Sequence, residues 1–222
     1  EAFKGKIRSD QWLDVHRAAH ELGLNSNATI LYGHIEQPSD RLFHLDILRT
    51  QQDHTLKVWA QAMDIAIGED GAIVLTGPDE NYAKDRLPTP AASPTGYFQT
   101  LIPLPFFPDE SELEHLPGPS GLANLRMLAI ARLMLDNFPH IKAFWIMQTL
   151  EMAQLMLQSG ADDIDGTVVW YDITKVGGTT THQEKSVHDL CRAIREAGFT
   201  PVERDTLYRP IERDGRSWRV VS

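Results

Sequence analysis

Four short segments rich in β-branched and apolar residues alternate along the chain with segments that have the period of an amphipathic helix. Consecutive strand–helix units joined by short links favour parallel strands with right-handed crossovers. Four such units make half of an eight-stranded β/α barrel, and an isolated half would leave two apolar sheet edges in water. We therefore expect four more strands from outside these 222 residues or from another chain; a small open parallel sheet is the alternative. The predicted strands are 27–32, 98–104, 141–147 and 165–170, adjacent in that order with helices on one face.

Capping residues mark the helix boundaries. Ser9 can cap the helix that follows it, and Ser120 starts the helix with the strongest apolar pattern. Ser186 has Asp189 three residues later, which is typical of a capping box. The predicted helices begin near residues 9, 38, 120, 150 and 186.

Residues 50–96 interrupt the alternation. Two apolar segments, 56–67 and 72–75, flank the turn 68–71 and predict an antiparallel hairpin, although a continuous helix would also suit this run. Residues 79–95 are rich in Pro, Asp and Ser and predict a loop. We expect this segment to be an insertion that lies outside the sheet.

Composition limits the class of protein. The chain, with 42% apolar residues, suits one domain of ordinary size over 1–222. The formal net charge of −10, without a basic cluster, argues against nucleic acid as a partner. The sequence has no long apolar run and no signal-peptide pattern, which predicts a cytoplasmic protein without a membrane partner. The single cysteine, Cys191, excludes an internal disulfide and an iron–sulfur cluster held by this chain alone.

Polar residues follow the first predicted strand where it opens into a loop. In parallel β/α folds ligands bind at the carboxyl ends of the strands, so Tyr32, His34 and Glu36 are placed for a binding site. Gly33 lets the backbone turn or lie close to a ligand. His34 and Glu36 could instead cap the following helix. We expect these residues to lie near others at strand ends, namely Gln99, Trp145 or Met147, and Thr167.

Three other patterns have simpler explanations than a ligand site. His16 and His20 have the spacing of two metal ligands on a helix, but no Glu accompanies them in an H-E-x-x-H arrangement. Residues 163–166 are similar to the start of a calcium loop, but its twelfth position is Thr174 where a Glu is required. The Gly-Gly-Thr run at 177–179 lacks the Lys of a phosphate-binding loop. The sequence therefore predicts no metal site in this chain.

Six runs carry a family resemblance when they are taken together: N-A-T-I-L-Y-G-H-I-E (27–36), R-L-F-H-L-D-I-L-R (41–49), F-Q-T-L-I-P-L-P-F (98–106), D-N-F-P-H-I-K-A-F-W-I-M (136–147), G-A-D-D-I-D-G-T-V-V (160–169) and V-E-R-D-T-L-Y-R (202–209). In this order they resemble the radical S-adenosylmethionine (SAM) enzymes of the futalosine route to menaquinone. The Asp-Asp-x-Asp-Gly-Thr run at 162–167 is most similar to the aminodeoxyfutalosine synthase family.

The resemblance implies the C-terminal half of a TIM-like β/α barrel, with SAM and a 4Fe–4S cluster as cofactors and an N-terminal barrel half as partner. It implies a transferase reaction of menaquinone biosynthesis, in which a 5′-deoxyadenosyl radical adds to 3-[(1-carboxyvinyl)oxy]benzoate and aminodeoxyfutalosine results. The C-x-x-x-C-x-x-C loop that binds the cluster is absent from the sequence. We therefore expect the cluster ligands outside this chain and no activity from the chain alone.

The resemblance also implies binding residues. The first strand and its loop are similar to the family's G-x-I-x-G-x-x-E segment, with Thr29 in place of the first Gly. Trp170 and Tyr171 replace a Glu-Glu pair that usually follows the last strand. SAM contacts are expected from Thr29, Ile30, Tyr32, Gly33 and Glu36, and substrate contacts from Tyr32, His34, Gln99, Thr167 and Arg204.

Two alternatives to this function stay open. A sister radical SAM enzyme, of the cyclic dehypoxanthine futalosine synthase or FO synthase families, would act on a different futalosine or deazaflavin precursor. A non-catalytic interaction domain would bind a partner chain or a small nucleoside. The iron and sulfide content of the protein would separate an enzyme from a binding module.

Overall fold

The computed structural model describes residues 5–62, 95–167 and 184–221. None of the helices in these ranges has the length and apolar character of a membrane span. The helices are α1 (Ser9–Glu21), α2 (Pro38–Ala62), α3 (Gly121–Met134), α4 (Trp145–Gln148), α5 (Leu150–Gln158) and α6 (Val187–Glu196). The strands are β1 (Ser26–Tyr32), β2 (Phe98–Pro105), β3 (His140–Ala143), β4 (Asp163–Ile164), β5 (Ile211–Asp214) and β6 (Ser217–Val220).

The first four strands form one parallel sheet in the order β1–β2–β3–β4, which confirms the predicted order and direction. Thr29 lies opposite Ile102, and Lys142 lies opposite Asp163. Because the strands are parallel, their carboxyl ends meet at one edge of the sheet, where ligands bind in such folds. This arrangement is compatible with part of a TIM-like barrel.

One face of β1 is packed and the other is open. Ala28, Ile30 and Tyr32 are buried, whereas Thr29 and Leu31, which alternate with them, are exposed. The packed face belongs to a core that the helices complete, and burial of this apolar surface holds the helices on the sheet. Core residues from other elements include Leu45, Leu48, Leu101, Leu128, Ile141, Met156 and Leu190.

Helix α2 extends to Ala62, past the predicted start of the insertion at residue 50. Residues 56–62, predicted as the beginning of a hairpin, are helical, so that part of the prediction is wrong. Leu48, Thr55 and Trp59 are buried at the spacing of a helix that packs one side against the core. The rest of the predicted hairpin and loop, 63–94, lies outside the described residues.

Strands β3 and β4 are shorter than predicted. β3 ends at Ala143, and residues 145–147, predicted as strand, belong to the single turn α4. The Trp145 indole Nε1 donates to the Asp165 carbonyl at 2.9 Å. The Asp165 carbonyl is therefore bonded to a side chain, and not to the backbone of a neighbouring strand. β4 occupies Asp163–Ile164, earlier than the predicted 165–170, and 168–170 lie outside the described residues. A short apolar run suits a strand or a buried helical turn equally, which explains the error.

The helix start at Ser120 and the capping box at Ser186 are confirmed, whereas the cap at Ser9 is wrong. Ser120 Oγ accepts from Ala123 N at 3.3 Å, and Ser186 forms the capping box with Asp189. Ser9 is instead the first helical residue, with Arg8 at the cap position and no side-chain cap bond. The antiparallel β5–β6 hairpin was not predicted, although a Gly in the first position of its two-residue turn, here Gly215, is typical of one.

Candidate functional site

The loop after β1 is organised by Glu36. Its carboxylate folds back so that Oε1 accepts from Gly33 N at 2.6 Å and Oε2 accepts from His34 N at 2.9 Å. Arg41, in the first turn of α2, donates from Nε to Oε1 at 2.7 Å. Hydrogen bonds to ionised groups are stronger than neutral ones. Glu36 therefore fixes the shape of this loop through atoms within the loop and α2.

The ionised form of Glu36 is favoured. Burial of the carboxylate acts to raise its pKa, but the N–H groups of Gly33 and His34 and the Arg41 guanidinium outweigh burial and lower the pKa of Glu36. The side chain is 11% exposed. The carboxylate is therefore charged at neutral pH, so the loop keeps one arrangement there.

His34 connects the ends of the first two strands. Its Nδ1 lies 3.0 Å from Glu36 Oε2, and its ring meets Phe106 edge-on with centroids 5.8 Å apart. Phe106 follows β2, and its N–H donates to the Tyr32 carbonyl at 2.8 Å. The imidazole is 12% exposed at the carboxyl edge of the sheet. Its position after β1 follows from the strand direction, and its contact with a substrate stays a prediction.

The Tyr32 side chain does not face the loop. The residue is fully buried, and its hydroxyl donates to Asn124 Oδ1 on α3 at 2.9 Å. Burial raises the pKa of the Tyr32 phenol, so the hydroxyl stays protonated at neutral pH. The phenol, which was expected to contact a ligand, is bonded within the fold, because the alternation along β1 turns it toward the helices. Ile30 is buried on the same face, whereas Thr29 is exposed on the open face.

Gly33 is needed for a packing reason. Its φ of +89° lies in the region that favours glycine, and a Cβ built there would lie 2.7 Å from the ring of Pro119. The sequence predicted that the backbone turns or approaches a ligand at this point. The turn is present, and the space beside it is filled by Pro119.

The ends of β3 and β4 are joined by the α4 turn. Trp145 is buried and bonded to Asp165, as described above. Gln148, the last residue of α4, is 7% exposed, and neither its Nε2 nor its Oε1 has a hydrogen-bond partner within the described ranges. Met147 is half-buried on the same turn, and Thr167 is exposed three residues past β4.

A charged network crosses the open face next to β4. Lys142 Nζ lies 2.9 Å from Asp165 Oδ1 and 3.4 Å from Asp163 Oδ2. The Tyr208 hydroxyl donates to Asp163 Oδ2 at 2.9 Å, and the Arg204 guanidinium lies 3.8 Å from the Tyr208 ring centroid. Burial raises the pKa of Asp165, and Lys142 offsets only part of that rise. The Asp-Asp-x-Asp run was visible in the sequence, but its partners from 204–208 were not.

Gln99 and Arg204 lie away from the loop after β1. Gln99 is the second residue of β2, at the amino end, where its Oε1 accepts from Asn25 Nδ2 at 3.2 Å and its Nε2 donates to Thr206 O at 3.4 Å. Arg204 is bonded to Asp163 at the start of β4. The expectation that Gln99 lies near the carboxyl ends is therefore wrong, whereas a substrate contact by Arg204 stays a prediction.

The two spaced histidines of α1 share a serine. His16 Nδ1 and His20 Nε2 lie 2.9 Å and 2.8 Å from Ser26 Oγ. Burial lowers the pKa of His20 to about 4, and His16 adds to the effect. Across residues 5–62, 95–167 and 184–221, no group of three or more metal-ligating side chains is positioned to hold an ion. These histidines dock α1 on β1.

Comparisons with known proteins cover nearly the whole chain. Residues 95–215 match the family model described as CofH/MqnC C-terminal region. An aminodeoxyfutalosine synthase from Thermus thermophilus is 39% identical over 212 residues, 94% of this chain and 46% of the relative. One from Streptomyces coelicolor is 35% identical over 90% of this chain and 44% of the relative.

A second group of relatives has a different name. A 5-amino-6-(D-ribitylamino)uracil–L-tyrosine 4-hydroxyphenyl transferase from Methanopyrus kandleri is 31% identical over 93% of this chain and 47% of the relative. The chain therefore spans about half the length of the curated relatives it matches.

Proposed function

The chain belongs to the CofH/MqnC family, and from that membership we propose that it is the C-terminal half of a radical SAM barrel that makes aminodeoxyfutalosine. The observation that carries this proposal is the similarity to two aminodeoxyfutalosine synthases along nearly the whole chain. In the proposed reaction, a step of menaquinone biosynthesis in the cytoplasm, the 5′-deoxyadenosyl group of SAM is joined to 3-[(1-carboxyvinyl)oxy]benzoate. The aryl group then migrates, and the carboxylate of the enol ether is lost as bicarbonate.

The open sheet supports the proposal that a second half completes the barrel. The relatives are about twice as long as this chain. Leu31 is 43% exposed on the open face of β1, and β1 and β4 are the two ends of the strand order. Four further strands, proposed to come from an N-terminal half, would cover these edges and enclose the open face.

Two cofactors are part of the proposal, and the chain fits them differently. With one cysteine, the chain cannot supply the thiolates of a 4Fe–4S cluster, so the proposed ligands lie in the N-terminal half. SAM supplies the 5′-deoxyadenosyl group. Exposed, uncharged side chains at Thr29 and Leu31, beside a loop fixed by Glu36, offer a surface suited to a nucleoside. The chain's own task is to orient the reactants and exclude water.

The proposed substrate contacts rest on the groups near the carboxyl ends. His34 and Thr167 are in reach of that edge, whereas the side chains of Tyr32, Gln99 and Arg204 are bonded elsewhere. The His34 imidazole can donate a hydrogen bond to a carboxylate from a protonated ring nitrogen. Glu36 enters the proposal as the residue that positions the His34 backbone.

The experiment uses the protein that contains both halves, purified and loaded with its cluster without oxygen. Incubation with SAM, a reductant and 3-[(1-carboxyvinyl)oxy]benzoate should yield aminodeoxyfutalosine, measured by mass spectrometry. The chain over 1–222 alone is the control and should yield none, because it lacks the cluster ligands.

A second candidate function is favoured by the Methanopyrus kandleri relative. Its name describes the transfer of a 4-hydroxyphenyl group from tyrosine to 5-amino-6-(D-ribitylamino)uracil. The same preparation should therefore be offered these two compounds in a parallel assay. Product in that assay alone would replace the first proposal, and no product in either would favour a binding module.

A further inference from the structure

The Gln148 amide has no role in the fold described so far. The residue is nine-tenths buried, and in the described parts of the chain neither amide atom has a hydrogen-bond partner. A buried amide that has given up water without gaining a partner destabilises a folded protein. Gln52 shows the usual case, since its amide bonds Phe98 N, Phe98 O and Asn137 O. Gln148 therefore calls for a partner that is not part of this packing.

The position of Gln148 points to a ligand as that partner. It closes α4, directly after β3, at the carboxyl edge where ligands bind in parallel β/α folds. Trp145 in the same turn is tied to Asp165 beyond β4, which holds the turn between the two strand ends. Thr149, which follows and caps α5, has a φ of +81°, a region that non-glycine residues avoid; residues with such strain cluster at functional sites. One turn thus contains two unfavourable features beside the proposed site.

Neighbouring groups limit the chemistry of that ligand. Lys142, the cation of β3, is already paired with Asp163 and Asp165. The Gln148 Nε2, by contrast, has no hydrogen-bond partner in the described parts of the chain. It is an uncharged donor, suited to an oxygen acceptor such as a carboxylate. β3 is two strands from β1, about 10 Å at the usual strand spacing, which separates Gln148 from the surface proposed for SAM.

We propose that Gln148 is a substrate-contact residue, whose amide N–H donates to a carboxylate of the aryl enol ether. This inference rests on the proposed function. The amide oxygen, which a carboxylate cannot satisfy, accepts from a water bound with it.

Gln148→Met tests the assignment, because methionine has a similar shape and no amide. Gln52→Met is the matched control, since Gln52 is also buried but fully bonded and lies on α2. Both variants are made in the cluster-loaded protein with both halves. Thermal unfolding is measured without substrate, and kcat and KM are measured for each reactant.

Gln148→Met should raise Tm by about 3 °C, because an unsatisfied group is removed. It should raise KM for the aryl enol ether about tenfold, with KM for SAM unchanged. Gln52→Met should lower Tm and leave both KM values unchanged. A lower Tm for Gln148→Met, an unchanged KM for the enol ether, or a change confined to SAM would overturn the inference. A wild-type protein without product would instead overturn the proposed function, and with it the substrate assigned to Gln148.

Discussion

Arg204 and Asp163 form a two-pronged ion pair that joins the segment after α6 to the first residue of β4. Arg204 Nε donates to Asp163 Oδ1 at 3.0 Å, and Nη2 donates to Oδ2 at 2.7 Å. The Asp163 side chain is buried. The pair therefore anchors the C-terminal segment to the β4 side of the sheet.

Arg204→Met should lower the free energy of unfolding by about 3 kcal/mol, because it leaves a buried carboxylate with too few donors. Lys142 at 3.4 Å and the Tyr208 hydroxyl keep the loss from being larger. Arg204→Lys should also be destabilising, since an ammonium cannot make the paired contact. Urea unfolding at neutral pH measures both.

Arg219→Met is the control for that prediction. Arg219 pairs with Glu212 on the β5–β6 hairpin, and both side chains are exposed. Exposed ion pairs contribute between about 0 and 1 kcal/mol. If both arginine variants unfold at the same urea concentration, the Asp163 pair does not anchor the C-terminal segment.

His20 should make stability depend on pH in mild acid. Its pKa is about 4 in the folded protein and near 6.5 in the unfolded chain. Since the folded pKa is the lower one, the stabilisation is complete above 6.5 and is lost as pH falls toward 4. The loss should reach roughly 3 kcal/mol. Urea unfolding across that range should show a smaller decline for His20→Gln, which can still bond Ser26.

His54→Gln is the control for His20, because His54 is exposed on α2. It should leave the pH dependence of unfolding as it is in the wild type. A decline that is equally steep in His20→Gln would show that other groups, and not His20, cause the loss in acid.

Glu36→Gln should loosen the loop after β1. Its amide nitrogen would face N–H donors or Arg41, so at least one contact of the carboxylate is lost. The free energy of unfolding should fall by about 2 kcal/mol. If the proposed function holds, the affinity for SAM in calorimetry should fall as well. Glu114→Gln, at an exposed position, should change neither quantity.

The sequence predicted the sheet better than the ends of its strands. Parallel order follows from alternating elements with short links, and β1 and β2 were located to within a residue or two. The ends of β3 and β4 depend on the Trp145–Asp165 bond, a contact between residues that no local pattern connects. The same holds for α2, whose continuation past residue 50 depends on packing of Thr55 and Trp59 against the core.

The candidate site was predicted in part, because strand direction can be predicted from the sequence and the direction of each side chain cannot. His34 and Glu36 directly follow a strand, so their place at the carboxyl edge needs only the strand direction. Gln99 is the second residue of β2, and the same reasoning would have placed it at the opposite end. The orientation of Tyr32 depends on which face of β1 meets the helices, and alternation alone leaves that choice open. Gln148 was missed because its lack of partners is visible only in the packed structure.

Gly33→Ala should destabilise the protein by more than the cost of placing alanine at a positive φ. Gly33 and Gly198 have nearly the same φ, +89° and +92°, but a Cβ at Gly198 would meet nothing within 4 Å. Gly198→Ala should therefore lower the free energy of unfolding by about 1 kcal/mol, the effect of the angle. Gly33→Ala should lower it by about 3 kcal/mol, because the methyl group also displaces the Pro119 ring.

The contact with Pro119 can be isolated by a double-mutant cycle. In a Pro119→Gly background the ring is gone, so Gly33→Ala should lose only about as much stability as Gly198→Ala does. Urea unfolding of the four proteins in the cycle gives the coupling between the two positions. Equal losses for Gly33→Ala with and without the proline would contradict the contact. The glycine would then be explained by its backbone angle, and the space beside it would be open to a ligand after all.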